Sequence, residues 1–280
     1  LLDEAEKHEN VTIHFNLKCK TVDFEKTTAL LYDYVSKTDF IEDADVIIST
    51  DGAGSILRKS YYLEKKFLFS FSQDYLTHGY KELSIPPSED GGFRMKKEGL
   101  HIWPRGNYML IALPNPDGSF TCTLFFPFEG NPSFKSLDTA EKARKFFDET
   151  FPDASKMMPH FEEEFMNNPT SSLVTVKCNP WVRNGNFALI GDAAHAIVPF
   201  FGQGMNSGFE DCNVLNQLIS KHNHDWKAIF NEYQLLRKPD FIIDAIDSIT
   251  PKVTFIKLAY ESRIPLVSSM GAGAKLDPTR

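Results

Sequence analysis

The stretch GDAAHAIVPFFGQGMNSGFE, residues 191–210, constrains the fold of this chain more than any other. The apolar run Phe187–Ile190 before it predicts a β strand, and the helical spacing of apolar residues over Met205–His222 predicts a helix. Asp192 then lies at the carboxyl end of a strand, and the two glycines of GQG lie where the helix begins. The open N–H groups and the positive dipole end of a helix favour an electron-rich or anionic ligand. We interpret the stretch as half of a ligand site, in preference to a loop that only joins two elements.

A second strand and turn lie earlier in the chain. The β-branched run DVIIST, residues 45–50, predicts a short buried strand that leads directly into DGAGS. Asp51 then stands at the carboxyl end of this strand, with Gly52 in the turn, where a carboxylate can accept hydrogen bonds from ligand hydroxyls. The pattern lacks a third glycine at the spacing of a dinucleotide-binding fingerprint. An ordinary turn is therefore the better interpretation of this motif taken alone.

Between the two motifs the sequence alternates with period two. Residues 76–128 contain YKELSI, LHIW, YMLIAL and FTCTLFF, separated by turn residues such as NPDGS, and this predicts an antiparallel sheet. The alternation places three pairs on one face of successive strands: Leu100 with Ile102, Ile111 with Leu113, and Thr123 with Phe125. Further strands are predicted at Val11–Phe15 and Leu173–Lys177, and a helix at Asp138–Phe151. The sheet has an apolar side that can cover a ligand or a core.

Charge and cysteine content exclude several classes of protein. The net charge of −8, with scattered basic residues, indicates neither a nucleic-acid partner nor a polybasic membrane anchor. The four cysteines are widely spaced, which argues against a zinc site, and we nominate no metal ligand. No apolar run approaches the roughly 20 residues that span a bilayer, so we predict no membrane segment and a cytoplasmic location. His195 is interpreted as a structural residue rather than a catalytic one.

These motifs resemble those of a known family. GDAAHAIVPFFGQGMN with GFEDC resembles the second flavin-contacting motif of the aromatic hydroxylases related to p-hydroxybenzoate hydroxylase, and DGAGSILR resembles their DG motif. More narrowly, HGYKELSIPP, LHIWPRGNYMLIALPN and SFTCTLFFPFE resemble the kynurenine 3-monooxygenase family. The resemblance implies an α/β (α+β) fold, in which an FAD-binding Rossmann-like domain of the glutathione-reductase type is interleaved with an antiparallel-sheet substrate domain. It assigns residues 1–70 and 176–225 to the FAD-binding domain, 71–175 to the substrate domain and 226–280 to a C-terminal helical region.

The resemblance also implies roles for individual residues. Residues of both motifs, and one residue after the HFN string, would contact FAD: Leu17, Asp51, Gly52, Gly191, Asp192, Pro199, Gly202, Gly204, Met205 and Asn206. An apolar wall around the substrate ring would be formed by Leu100, Ile111, Leu113, Phe125, Pro199 and Phe200. The alternation places the four strand residues of this wall on the same side of the sheet.

The activity that the family implies is the hydroxylation of L-kynurenine to 3-hydroxykynurenine, a step of tryptophan degradation. NADPH is the co-substrate that reduces FAD, and O2 forms a flavin C4a-hydroperoxide that hydroxylates the aromatic ring. The protein's part is to hold the ring and exclude water, so no catalytic side chain is nominated. Two alternatives stay open: another aromatic hydroxylase or a reductase on the same scaffold, and an inactive fragment or pseudoenzyme that binds a ligand. The sequence does not specify the oligomeric state.

The sequence departs from the family pattern near both ends. No strand with GxGxxG opens the chain, and the segment after Asp240 resembles a region further along the family sequence. We therefore expect that the first βαβ unit is missing, that an internal stretch is deleted, and that the 280 residues alone bind FAD poorly and are inactive. A mitochondrial outer-membrane location applies instead if a C-terminal anchor is missing.

Overall fold

The computed structural model describes residues 1–198 and 203–237, together with the backbone of Ile242–Asp244 and Leu266–Ser268. The helices are α1 (Leu2–Ala5), α2 (Ile56–Leu63), α3 (Ala140–Thr150), α4 (Pro152–Ser155), α5 (Phe161–Asn167), α6 (Asp192–His195), α7 (Gln203–Lys221) and α8 (Trp226–Arg237). The strands are β1 (Leu17–Asp23), β2 (Thr28–Asp33), β3 (Thr38–Asp43), β4 (Ile47–Ser49), β5 (Ser70–Ile85), β6 (His101–Arg105), β7 (Tyr108–Pro114), β8 (Phe120–Pro127), β9 (Ser171–Asn179), β10 (Val182–Arg183), β11 (Phe187–Leu189), β12 (Ile242–Asp244) and β13 (Leu266–Ser268).

Strands β1, β2 and β3 form an antiparallel meander in sequence order. Each connection is a tight turn that begins with an aspartate. The carboxylate of Asp23 accepts from the N–H of Glu25 (2.9 Å), and that of Asp33 accepts from the N–H of Val35 (2.7 Å). Such bonds from an aspartate to the backbone two residues on stabilise turns. Phe24, in the first turn, packs against the core that surrounds the next sheet and so attaches the meander to it.

A small sheet places the strands of the two sequence motifs side by side. β4 and β11 pair in parallel, with Ile47 opposite Phe187 and Ser49 opposite Leu189, while β10 runs antiparallel to β11. Because parallel strands end at the same edge of a sheet, the turns that follow Ser49 and Leu189 emerge together. Helices α2, α7 and α8 surround the pair and contribute buried side chains: Leu57, Tyr61, Leu215, Leu218, Ile229, Phe230 and Tyr233.

The largest sheet is antiparallel, with the order β6-β7-β8-β5-β9. Alternate residues on one of its faces are buried against α3, α4 and α5, and these are Leu83, Ile85, Leu110, Ala112, Phe120, Cys122, Leu124 and Phe126. The helices contribute Phe147, Phe161 and other aromatic side chains to the same cluster. Residues of the opposite register, including Ile102 and Ile111, lie on the other face.

Strand β5 is long enough to have two partners in succession. Its first residues, Ser70–Tyr75, pair with β9, and its last residues, His78–Ile85, pair with β8. Gly79 lies where the two pairings overlap. A Cβ atom at this position would lie 2.7 Å from the carbonyl oxygen of Ser171 and 2.6 Å from the ring of Phe128, so only glycine fits.

One predicted strand is wrong, and one predicted region lies partly outside the described residues. Residues 11–15 form no strand, because Val11 and Phe15 are exposed and the N–H of Val11 bonds locally to His8. Pairing begins only at Leu17. In the region predicted as helical, 226–280, helix α8 is present, whereas β12 and β13 pair in parallel as strands. The remaining residues of that region are outside the described part of the chain.

The two faces of the large sheet predict different responses to truncation of a leucine. Leu110 and Leu113 lie on opposite faces of β7 and are 0% and 49% exposed. We expect Leu110→Ala to lower the free energy of unfolding by about 2–5 kcal/mol, because it leaves a cavity against the helices. Leu113→Ala should cost less than about 1 kcal/mol. Urea unfolding followed by circular dichroism measures both, and equal losses would contradict the assignment of the faces.

Candidate functional site

The first motif forms a capped turn at the end of β4. One oxygen of the Asp51 carboxylate accepts from the N–H of Ile56 (2.7 Å), and the other accepts from the hydroxyl of Ser49. Gly52 has a φ of +78°, a left-handed conformation that glycine adopts without strain. Ser55 caps helix α2 by accepting from the N–H of Arg58 (3.1 Å). Asp51 is exposed and is fixed at the helix start with one side open to solvent.

The second motif turns sharply where β11 ends. Gly191, the N-cap residue of α6, has a φ of +59° and a ψ of −140°, again in the region that favours glycine. Asp192 follows as the first residue of α6 and is exposed. A Cβ atom on Gly204 would lie 3.8 Å from the Asp192 carboxylate, so this carboxylate stands beside the first turn of α7.

The predicted residues of α7 lie in its first turn. Met205 is 69% exposed, and Asn206 is exposed and donates to the side chain of Gln203 (3.3 Å). In an α-helix the N–H groups of the first turn have no partner within the helix itself, which is the type of group that can bind a ligand. The predicted residues Pro199, Phe200 and Gly202 lie outside the residues that the structure describes.

Leu17, the predicted FAD contact that lies outside both motifs, is the first residue of β1 and is half-buried. Two residues further along the same strand, burial raises the pKa of the Cys19 thiol, and the charge of Asp51 raises it further. This electrostatic effect indicates that β1 passes near Asp51. The strand that carries Leu17 thus lies on the side of the first motif.

Arg58 joins the two motifs and was missed by the sequence analysis. Its guanidinium donates to the carbonyl oxygen of Ala193 in the second motif (2.7 Å) and to that of Ala53 in the first. The residue is only 3% exposed, and its guanidinium lies over the ring of Phe71, 5.8 Å from the centroid. A single buried cation therefore holds the backbones of both turns.

Asp211, on helix α7, was also missed. Its carboxylate is fully buried and accepts from the N–H of Gly191 (2.8 Å), from Nε2 of His195 (2.7 Å) and from Nε of Arg237 (2.6 Å). Burial alone raises the pKa of the Asp211 carboxyl, but the bonds from His195, Gly191 and Arg237 hold it below its ordinary value. The ring of His195 is stacked on Trp181, with centroids 4.7 Å apart. His195 is thus packed against Trp181 and bonded to Asp211, and its structural role stays a prediction.

The large sheet is attached directly to both motifs. In β9, the N–H of Val176 donates to the carbonyl oxygen of Ala196 (2.8 Å), and the thiol of Cys178 bonds to that of Ala194 (3.1 Å). In β5, the side-chain amide of Gln73 donates to the carbonyl oxygen of Ala53 (3.3 Å). The ends of β5 and β9 therefore support the loops that carry the candidate carboxylates.

Of the predicted substrate residues, Ile111, Leu113 and Phe125 lie on the sheet face opposite the helices, and Leu100 directly precedes β6. Pro199 and Phe200 are outside the described residues. Leu100 and Leu113 are about half exposed, at 50% and 49%, Ile111 is half-buried and Phe125 is buried. Of the four, Phe125 lines a pocket of about 280 Å³, whose wall also includes Leu76, His78, Pro104, Asn107 and Met109. The side chain of His78 bonds to the carbonyl oxygen of Asn107 (2.9 Å) at its rim. The structure thus brings Phe125 into a pocket and leaves Leu100 and Leu113 about half exposed.

A larger cleft lies elsewhere in the chain. It has a volume of about 810 Å³ and separates the meander from α2, between residues such as Phe24, Ile41 and Leu63. None of the residues nominated from the sequence lines it. We assign the candidate site to the two motifs, where the nominated polar groups converge, and to the sheet face that carries the nominated apolar residues.

Sequence comparison connects these features to known proteins. Residues 163–239 match the family described as FAD binding domain. The kynurenine 3-monooxygenase of Flavobacterium psychrophilum is 54% identical over 206 residues, which are 74% of this chain and 45% of that protein. That of Flavobacterium johnsoniae is 48% identical over 244 residues, 86% of this chain and 54% of that protein. The chain belongs to the kynurenine 3-monooxygenase family. It spans about half the length of these curated relatives.

Comparison with solved structures supports the fold. The tetrameric form of 2-methyl-3-hydroxypyridine-5-carboxylic acid oxygenase superimposes with a TM-score of 0.64 at 18% identity, covering 96% of this chain and 65% of that one. Klebsiella pneumoniae HpxO complexed with FAD and uric acid gives a TM-score of 0.54 at 18% identity, covering 80% and 53%. The chain has the fold of the FAD-binding aromatic hydroxylases, with mixed helices and strands and antiparallel sheets. Within the described residues, no helix combines the length and apolarity needed to cross a bilayer.

Proposed function

We propose that this protein is an FAD-dependent monooxygenase that converts L-kynurenine to 3-hydroxykynurenine. Kynurenine, O2, NADPH and a proton would give the ring-hydroxylated product, NADP⁺ and water. The relatives that bear this enzyme name are 54% and 48% identical to the chain. The observation that carries the proposal is the convergence of Asp51, Asp192 and the first turn of α7 at one edge, next to a sheet with an apolar face.

The residues at this edge fit the chemistry of FAD. The cofactor has a chain of hydroxyl groups and a ring that becomes electron-rich when reduced. Asp192 would accept hydrogen bonds from the ribityl hydroxyls, and Asp51 would accept from the cofactor on its solvent side. The N–H groups of the first turn of α7, with Met205 and Asn206, would face the electron-rich edge of the ring. The glycines at 52 and 191 keep side chains out of both turns.

The apolar sheet face would hold the aromatic ring of the substrate. Leu100, Ile111, Leu113 and Phe125 offer aliphatic and aromatic surface with no ionisable group, so the ring would be held by burial alone. Bound FAD supplies the redox chemistry, in which NADPH provides the electrons and O2 the oxygen atom. The chain's own residues would position the ring and exclude water that would discharge the oxidant without product.

The proposal is tested with a hybrid enzyme, because the chain spans about half of its relatives. In the hybrid, this chain replaces the 244 aligned residues of the Flavobacterium johnsoniae relative. We expect the purified hybrid to carry FAD, to oxidise NADPH faster when L-kynurenine is added, and to release 3-hydroxykynurenine, detected by liquid chromatography. Anthranilate, which shares the aromatic amine of kynurenine but not its side chain, serves as the control substrate. A hybrid without flavin contradicts the cofactor assignment, and one that consumes NADPH without product contradicts the substrate assignment.

A further inference from the structure

The buried carboxylate of Asp211 connects the second motif to helix α8. It accepts from the backbone of Gly191 in the sharp turn, from the side chain of His195 in α6 and from Arg237 near the end of α8. The sequence neighbours of Asp211 are exposed, since both Glu210 and Cys212 face solvent. The carboxylate of Asp211 is 0% exposed, and a buried carboxylate needs hydrogen bonds that offset the loss of its hydration. The three donors named above provide these bonds.

The bond to Gly191 fixes the turn that places Asp192. Gly191 is in a left-handed conformation, and a Cβ atom on it would lie 3.8 Å from Cα of Gly208 in α7. The turn therefore approaches α7 closely at Gly208, and the carboxylate three residues later holds it there. The same helix carries Met205 and Asn206 in its first turn, so this bond joins the turn before Asp192 to the helix that carries those residues.

Arg237 connects Asp211, and through it the Gly191 turn, to helix α8. Its guanidinium donates to Asp211 and forms an ion pair with Glu210 (2.8 Å), and it also reaches the carbonyl oxygen of Ser207 (3.4 Å). Gln234, one turn earlier in α8, accepts from the N–H groups of Trp181 (2.9 Å) and Val182 (3.1 Å). Trp181 in turn lies against His195. Asp211 is thus held rigidly from the side away from the turn.

We propose that Asp211 is a positioning residue for the flavin, which fixes the Gly191–Asp192 turn at a set distance from the first turn of α7. The inference rests on the proposed function for its consequence in flavin binding. Asp211 itself lies beneath the turn and is not assigned a contact with the cofactor. A purely structural role would affect the stability of the whole chain, whereas a positioning role acts through the acceptor that Asp211 offers to the N–H of Gly191.

Two substitutions separate these roles. Asp211→Leu removes the acceptor and the charge, whereas Asp211→Asn removes the charge but keeps an oxygen that can accept from Gly191. Lys81→Met is the matched control, because Lys81 is also a buried charge (6% exposed) that bonds to two backbone carbonyls, of Phe165 and Asn168, but in the core of the large sheet. Hydrogen–deuterium exchange of the peptide containing Gly191–His195 is measured in the 280-residue chain. FAD affinity is measured in the hybrid by flavin fluorescence. The melting temperature is measured in both the 280-residue chain and the hybrid.

We expect exchange of the turn peptide and FAD affinity to change independently of the melting temperature. In Asp211→Leu, exchange of the Gly191–His195 peptide should rise by about tenfold or more, and FAD affinity should fall to a similar extent. Asp211→Asn should recover most of both quantities, although its melting temperature falls as in Lys81→Met. The inference is overturned if peptide exchange follows melting temperature across all three variants, or if Asp211→Leu leaves the peptide protected. A hybrid that never binds FAD refutes the proposed function, and the exchange ratio of the leucine and asparagine variants then decides the inference alone.

Discussion

Replacing Asp192 by alanine in the hybrid enzyme is expected to weaken FAD binding by about tenfold to a hundredfold. A hydrogen bond to a charged group is worth about 1.5–3 kcal/mol, and each 1.4 kcal/mol changes affinity tenfold. The protein should fold normally, because Asp192 is exposed and is the first residue of a short helix. Flavin fluorescence titration of the apoprotein measures the affinity, and circular dichroism measures the fold.

The control for this substitution removes the same charge from a different helix. Glu163 is exposed in the first turn of α5, on the far side of the large sheet from the candidate substrate face. Glu163→Ala should leave FAD affinity unchanged. If Asp192→Ala binds FAD as tightly as Glu163→Ala does, then Asp192 makes no contact with the cofactor and the site must be placed elsewhere.

Substitution of Arg58 by methionine should reduce both stability and flavin binding. Methionine keeps the apolar stem but leaves the carbonyl oxygens of Ala53 and Ala193 without their charged donor in a buried region. The carbonyl oxygen of Ala53 keeps a second donor, the side-chain amide of Gln73. An unsatisfied buried group costs about 1–3 kcal/mol, so the loss of unfolding free energy, which arises mainly at Ala193, should be about 1–3 kcal/mol. Because the two carbonyls belong to the two motifs, the turns should also lose their fixed separation. We therefore expect the FAD affinity of the hybrid to fall together with its stability.

Arg144→Met provides the comparison for Arg58. Arg144 also donates to backbone carbonyls, those of Ser155 and Met158, and its guanidinium lies 4.8 Å from the ring centroid of Phe161. It belongs to the helices that cover the large sheet and touches neither motif. Urea unfolding should show destabilisation in both variants, with FAD affinity reduced in Arg58→Met only. A loss of affinity in Arg144→Met of the same size would mean that flavin binding reports general stability.

Short-range patterns in the sequence were informative for the large sheet and the two motifs, although the strand predicted at Val11–Phe15 is absent. The alternation in β6, β7 and β8 predicted which residues share a face, because the side chains of a strand alternate and only one register buries the apolar set against α3–α5. The two strand-turn motifs were located correctly, since a buried β-branched run followed by Asp-Gly or Gly-Asp is a local signal. Their meeting at one edge followed from the parallel pairing of β4 with β11, which residue patterns did not specify.

The bridging residues depend on contacts that no local pattern encodes. Arg58 and Ala193 are 135 positions apart, and nothing near Arg58 marks its partner. Asp211 did leave a signal. The helical spacing was recognised from the apolar residues Met205, Phe209, Cys212, Leu215 and Ile219. The buried residues of α7 are instead Asp211, Leu215 and Leu218. An acidic residue in phase with two leucines indicates a buried, partnered carboxylate, and reading that phase would have identified it.

The continuity of β5 has a consequence for how substrate range can change in this family. One strand of sixteen residues, about 50 Å long at about 3.3 Å per residue, pairs with β9 near the two motifs and with β8, where Tyr80 lies opposite Phe125. Its pairing with β9 shifts register between Tyr75 and Gly79. Under the proposed function, this strand links the loops that would hold FAD to the strand that carries Phe125. Inserting one residue would reverse the facing of every side chain beyond it. If the open face holds the substrate ring, we expect a longer or shorter substrate to be accommodated by exchanging side chains on that face and not by changing the length of β5.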